Sequence, residues 1–162
     1  MIVNRSKPLK KGVHGYDKPK HVNGRKRHIL VDTLGLLLTV VVTAASVQDR
    51  DGAMLLLDVL RCKFSRLRLI WADQAYGGEL LAWVWGLRPW RKVRLDIVKR
   101  PEGTKGFLLL PKRWIVERTF GWFGRYRRLA KDYEYLTQTS EVMLRVAMIH
   151  LMVRRLARLV PS

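Results

Sequence analysis

His28-Ile29-Leu30-Val31-Asp32-Thr33-Leu34-Gly35-Leu36-Leu37-Leu38-Thr39-Val40-Val41-Val42-Thr43 holds two aliphatic, β-branched runs on either side of Thr33-Leu34-Gly35. The runs, residues 28–32 and 36–43, predict an antiparallel hairpin. Both strands are nearly all apolar, which belongs to the middle of a sheet covered on its two faces. Asp32 is read as part of the turn, where a short carboxylate bonds its own backbone, and not as a chemical group.

Upstream, residues 1–27 carry Arg5, Lys7, Lys10, Lys11, Lys18, Lys20, Arg25, Lys26 and Arg27 against Asp17 alone, broken by Pro8, Gly12, Gly15, Pro19 and Gly24. This reads as an irregular basic arm. Downstream, Asp49 and Asp51 are placed to cap an amphipathic helix over 53–62. A short strand over 67–72 ends at Asp73, a helix over 79–85 follows Gly77-Gly78, and another strand covers 95–99 before the loop 100–106. Pro111 fits the first turn of a helix reaching about Gly124. Thr139 or Ser140 is expected to cap a last helix over 141–159, stopped by Pro161. The order predicts one mixed α/β domain, hairpin first, with helices on both faces of the sheet. No repeat or low-complexity tract occurs.

The formal net charge is +19, from 32 Lys plus Arg against 13 Asp plus Glu. A polyanionic partner follows, with DNA or RNA the first candidate and an anionic membrane surface the second. The apolar stretches 36–47 and 142–153 fall short of the roughly 20 residues of a helical span. No apolar run follows the first charged residues, so no secretory signal is expected, and the reading is cytoplasmic. Cys62, the single cysteine, excludes an internal disulfide and is read as a small buried hydrophobe. Trp83, Trp85 and Trp90 are read as core or core-edge residues, and the four histidines show no metal-ligand spacing.

Acids this scarce need a reason to stand in apolar and basic surroundings, and binding Mg²⁺ beside a phosphate is one. Asp73 sits at the carboxyl end of a strand, where α/β sheets build sites, or else caps the next helix. Glu117 shares a helical stripe with Arg113, Gly121 and Gly124. Two helical glycines cost about 1 kcal/mol each relative to Ala. Either another backbone approaches closely there, or they relieve crowding by Trp114 and Trp122. Arg125, Arg127, Arg128 and Lys131 alternate with Tyr126, Tyr133 and Tyr135, a mixture suited to a nucleic-acid backbone and bases. The other reading of that cluster is a solvated basic face with its tyrosines packed inward.

Four words now stand out: Trp71-Ala72-Asp73-Gln74-Ala75-Tyr76, Arg113-Trp114-Ile115-Val116-Glu117-Arg118-Thr119-Phe120, Arg125-Tyr126-Arg127-Arg128-Leu129-Ala130-Lys131-Asp132-Tyr133, and Gly24-Arg25-Lys26-Arg27-His28 running on to Asp32-Thr33-Leu34-Gly35-Leu36. Together they resemble the DDE transposases of bacterial insertion sequences, of the insertion-sequence-five type, over nearly the whole chain. The resemblance implies an RNase H-like fold with a mixed sheet, in which two Asp and one Glu hold two Mg²⁺ (or Mn²⁺) ions for DNA strand cleavage and strand transfer. Asp73 then matches the second acid and Glu117 the third, both catalytic and metal-binding. Arg113 matches an arginine that holds a DNA phosphate, and Arg25, Lys26 and Arg27 join the later basic cluster as DNA-binding candidates. The implied partners are insertion-sequence ends and target DNA, with several copies in a synaptic complex at the nucleoid.

The first acid departs from the pattern. The nearest match is Met1-Ile2-Val3-Asn4-Arg5-Ser6, with Asn4 where the family has Asp, the alternative being a position at or just before Met1; an uncharged amide in place of one of three anionic ligands weakens Mg²⁺ binding. The expected division is residues 1–27 as a basic arm with a remnant of the first strand, and 28–162 as the catalytic domain. The amino-terminal region that binds DNA ends in full-length relatives is read as absent. Two origins remain open: a truncated remnant, or the downstream part of a protein made from two overlapping frames, with an upstream-frame partner segment. The function divides likewise, into an impaired transposase and a non-enzymatic DNA-binding remnant that competes with an intact one.

Overall fold

In the computed structural model, the residues described are 2–6, 12–60, 63–64, 66–73, 76, 86, 93–98 and 112–159. Strand β3 (Val22–Val31) is the hub of the sheet. It pairs antiparallel with β1 (Ile2–Ser6) from Ile2↔Ile29 to Ser6↔Arg25 and with β2 (Gly15–Asp17) from Gly15↔Gly24. Strand β4 (Leu37–Ala44) pairs with residues 25–31 of β3, with a register irregularity between Leu30 and Val31. β1 and β4 share the partners Arg25 to Ile29, so they occupy opposite edges of β3. The turn forms as expected: Asp32 Oδ1 accepts the N–H groups of Leu34 at 2.9 Å and Leu36 at 2.8 Å, and Gly35 takes a φ of +84°.

Alternation along β3 and β4 separates two cores. Leu30 and Val41 pack with Ala53, Leu56, Leu57 and Leu60 of helix α1 (Asp49–Leu60). Gly52 of α1 lies flat on the His28 ring, and a Cβ there would overlap the imidazole. Ile29, Val40 and Val42 pack on the other face against α2 (Arg113–Gly124) and α4 (Thr137–Ala157), with Val116, Phe123, Leu144, Ala147 and Met148. The covered hairpin and helices on both faces therefore match the apolar pattern of the sequence.

Strands β5 (Leu69–Asp73) and β6 (Arg94–Val98) run parallel, in register from Leu69↔Arg94 to Asp73↔Val98. A parallel pair requires a long crossover. The helix expected over 79–85 falls in that connection, outside the described residues. Cys62, Trp83, Trp85, Trp90, Pro111, Pro161 and the loop 100–106 also lie outside the described residues. Among the described residues no helix is long and apolar enough to cross a membrane.

Three local expectations change. The first is the basic arm: where an irregular chain was expected, residues 2–6, 15–17 and 22–27 are strand. Arg25, Lys26 and Arg27 are buried in β3. Helix α4, secondly, begins at Thr137 without a side-chain cap. Ser140 lies inside it, buried, and its hydroxyl donates to Asp132 Oδ2 at 2.8 Å, so it is engaged elsewhere. Finally, Asp49 opens α1 but holds Lys26 Nζ at 2.8 Å. A short helix α3 (Arg127–Ala130) also separates α2 from α4.

α4 does more than cover a face. Glu141 Oε1 accepts the Val42 N–H at 3.0 Å, and Arg145 Nη2 reaches Val40 O at 3.4 Å. Backbone groups on the side of β4 away from β3 are thus bonded by two side chains one helical turn apart.

Candidate active site

The apolar alternation of β5 buries Ile70 and Ala72 and leaves Asp73 as its last residue, partly exposed. The helical spacing of α2 buries Ile115, Val116, Thr119 and Phe123. The opposite side of α2 is left to carry Arg113 and Glu117 one turn apart. Trp71, Ala72, Asp73, Val98, Lys112, Arg113 and Val116 line a cleft between the strand ends and the start of α2.

Arg113, on the wall of that cleft, joins Asp73 inside it to Glu117 one helical turn further on. Its Nη1 lies 3.5 Å from Asp73 Oδ2 and its Nε 3.0 Å from Glu117 Oε1. Lys112, held at φ +68° just before the helix, sets its Nζ 5.1 Å from the centre of the Trp71 ring. The positive end of the helix dipole falls beside Asp73 and favours anions there. Two cations and a helix start thus meet two carboxylates at one solvent-open edge. Both acids keep partial exposure and offer hard oxygen donors. That suits Mg²⁺, which keeps most of its waters and takes one or two carboxylates with substrate phosphates.

Asn4 lies in β1 with Arg27 as its register partner. Among the described residues no three His, Cys, Asp or Glu side chains gather into a metal-binding group.

The amino-terminal basic residues are committed to the protein interior. Arg25 donates from Nε to Val13 O at 2.6 Å, and from its two terminal nitrogens to Glu134 O and Tyr135 O, both at 2.7 Å. It also pairs with Asp132 at 3.3 Å, both side chains fully buried. Lys26 Nζ donates to Val47 O and pairs with Asp49 and Asp17. Arg27 donates to Leu129 O at 2.9 Å. Burial lowers the Arg27 pKa, Asp132 pulls it up, and Arg25 adds to the lowering. None of the three is presented to an outside polyanion, because each serves the fold.

Arg125, Arg127, Arg128 and Lys131 are exposed, as expected. Arg128 holds Glu134 at 2.9 Å; among the described residues the other three make no ion pair. Tyr133 and Tyr135 are exposed beside them, while the Tyr126 hydroxyl bonds His150 Nδ1 at 2.9 Å. A Cβ on Gly121 or Gly124 would meet nothing within 4 Å among the described residues. Trp114 therefore does not crowd Gly121, and neither Trp114 nor Trp122 crowds Gly124.

Sequence reasoning missed Arg118. Its guanidinium lies 4.2 Å from the Trp114 ring centre and 4.9 Å from that of Trp122, and Arg155 of α4 stacks on Trp122 at 4.2 Å. The positions i, i+4 and i+8 of Trp114, Arg118 and Trp122 are the signal that could have found it.

The transposase DDE domain family matches residues 2–152, and the chain belongs to that family of insertion-sequence transposases. A Burkholderia cepacia protein named as a transposase for insertion sequence element IS402 is 29% identical over 122 residues, covering 68% of this chain and 54% of that relative. The chain thus spans about half the length of the relative. No solved structure matches it.

Proposed function

We propose that the chain is the strand-cleaving and strand-transfer domain of an insertion-sequence transposase, built on an RNase H-like frame and impaired by Asn4. The observation that carries this reading is Arg113, bonded to Asp73 at a strand end and to Glu117 on a helix. The central β3, its antiparallel neighbours and the parallel β5–β6 pair support the frame. DDE transposases generally use divalent metal ions.

Asp73 and Glu117 would hold Mg²⁺ or Mn²⁺. A bound ion supplies activation of water or a 3′-hydroxyl for in-line attack on a phosphodiester. Arg113 keeps both carboxylates turned to the cleft and has further N–H groups for a phosphate oxygen. Lys112 adds a cation at the same mouth. The open faces of Gly121 and Gly124 leave room for a strand along α2, and Arg125, Arg127, Arg128 and Lys131 carry the flanking backbone. Asn4 contributes no charge, so cleavage is weak.

Nicking of supercoiled plasmid in Mg²⁺ or Mn²⁺ tests the assignment. Weak activity, raised by Asn4→Asp and abolished by Glu117→Gln, is the expected result. Activity unchanged by Glu117→Gln overturns it.

The second reading, a non-enzymatic DNA-binding remnant or competitor, is favoured by the missing third acid among the described residues. Calorimetric titration with Mg²⁺ separates the two. Binding lost in Asp73→Asn supports the enzyme, and no binding at all supports the remnant. Both readings give affinity that falls with salt by about 0.9 log units per log unit of salt for each phosphate contacted.

A further inference from the structure

Glu117 is followed directly by two residues that reach out of α2 to the hairpin turn. Arg118 Nη2 donates to Leu34 O at 2.9 Å, and the fully buried Thr119 hydroxyl donates to Gly35 O at 2.8 Å, with Ile115 O of its own helix at 3.0 Å. The turn is built to offer those carbonyls. Asp32 Oδ1 holds the N–H groups of Leu34 and Leu36, and Gly35 admits the approach, since a Cβ there would stand 2.9 Å from Thr119 Oγ1 and 3.0 Å from the Trp122 ring. Arg118 is itself clamped between Trp114 and Trp122. Its buried Nε makes no hydrogen bond among the described residues, so the two rings take the place of a carboxylate.

We propose that Arg118 and Thr119 are positioning residues, which fix how far α2 is turned about its own axis and so where Glu117 stands relative to Asp73. This role rests on the reading of Asp73 and Glu117 as metal ligands. α2 starts after Lys112 without a side-chain cap, and its core contacts through Val116 and Phe123 are non-directional. Hydrogen bonds are directional, and two of them adjacent on the helix resist rotation and sliding. Arg113 reaches Asp73 at 3.5 Å with both side chains partly exposed, and such a pair alone holds little. The hairpin is the common frame. Its Leu30 packs with Ile70 and Ala72 of β5, the strand that ends in Asp73, while its turn grips the two residues next to Glu117.

Electron paramagnetic resonance of the DNA-free, full-length protein tests it in two ways. Uptake of Mn²⁺, read from the loss of the free-ion signal, should weaken by about 10–100-fold in Thr119→Val, the range for groups that orient metal ligands. Thr119→Ser, which restores the hydroxyl, should bind as the wild type does. Arg118→Met keeps contact with the rings but has no donor for Leu34 O, so it should weaken uptake in the same direction, and it carries the comparison if Thr119→Val fails to fold. Position is read without metal, from the distance between nitroxide labels at Arg94→Cys, exposed on β6, and Gly121→Cys, exposed on α2, in a Cys62→Ser background. One narrow distance is expected, broadened or shifted by Thr119→Val and by Arg118→Met and recovered in Thr119→Ser. An unchanged distance overturns the proposal, as does wild-type Mn²⁺ affinity in both variants or equal weakening in Thr119→Ser. Wild-type protein that takes up no Mn²⁺ overturns the metal-site reading instead, and the label distance then decides the positioning by itself.

Discussion

Gly121 sits on the same stripe as Arg113 and Glu117, with open space where a side chain would project. Gly121→Ala should stabilise the DNA-free protein by up to about 1 kcal/mol, because glycine costs that much in a helix. If a DNA strand approaches the helix there, the same change should weaken DNA binding several-fold. Urea denaturation and a binding titration check the two halves, and unchanged affinity would remove Gly121 from the interface. At this scale the sequence was readable where a residue's neighbours constrain it. Asp73 ends an apolar strand and Glu117 stands on an amphipathic helix, and the family words joined the two acids that Arg113 bridges. Arg25 was not readable: its carbonyl partners on Glu134 and Tyr135 lie 109 and 110 positions away. Nothing in a run of basic residues distinguishes a buried guanidinium from a solvated one.

Elements were legible by their apolar period and less so at their ends. The hairpin and the helices α1, α2 and α4 came from periodicity, whereas β3 extends back to Val22 because charged side chains there find partners inside the protein. The start of α4 was misplaced because Ser140 looks like a cap from sequence, yet its hydroxyl is taken by Asp132. Between elements, the bond from Val42 N–H to Glu141 is the joint between α4 and β4. Glu141→Ala should cost about 1–3 kcal/mol, the range for leaving a buried donor without its acceptor. Denaturant midpoints measure it. The variant should also aggregate sooner at partial denaturation, since an unguarded strand edge invites another strand. A midpoint within error of wild type would show that Glu141 contributes nothing to the joint.

For the whole molecule, the buried Arg25–Asp132 pair ties the first strands to the segment before α4. Asp132→Ala leaves an uncompensated cation inside and should cost about 3–5 kcal/mol, as removal of one partner of a buried pair does. Equilibrium unfolding in urea gives the value, and a loss below 1 kcal/mol would mean that the three carbonyl bonds suffice for Arg25. The same tie governs the order in which the protein can form. Closing such long loops is entropically costly and slow, and β3 emerges from the ribosome long before Asp132, Glu134 and Tyr135 exist. Until they do, Arg25 keeps its hydration and β3 lacks the partners that allow its burial. The tie between β3 and residues 132–135 can therefore form only after Tyr135 has been added.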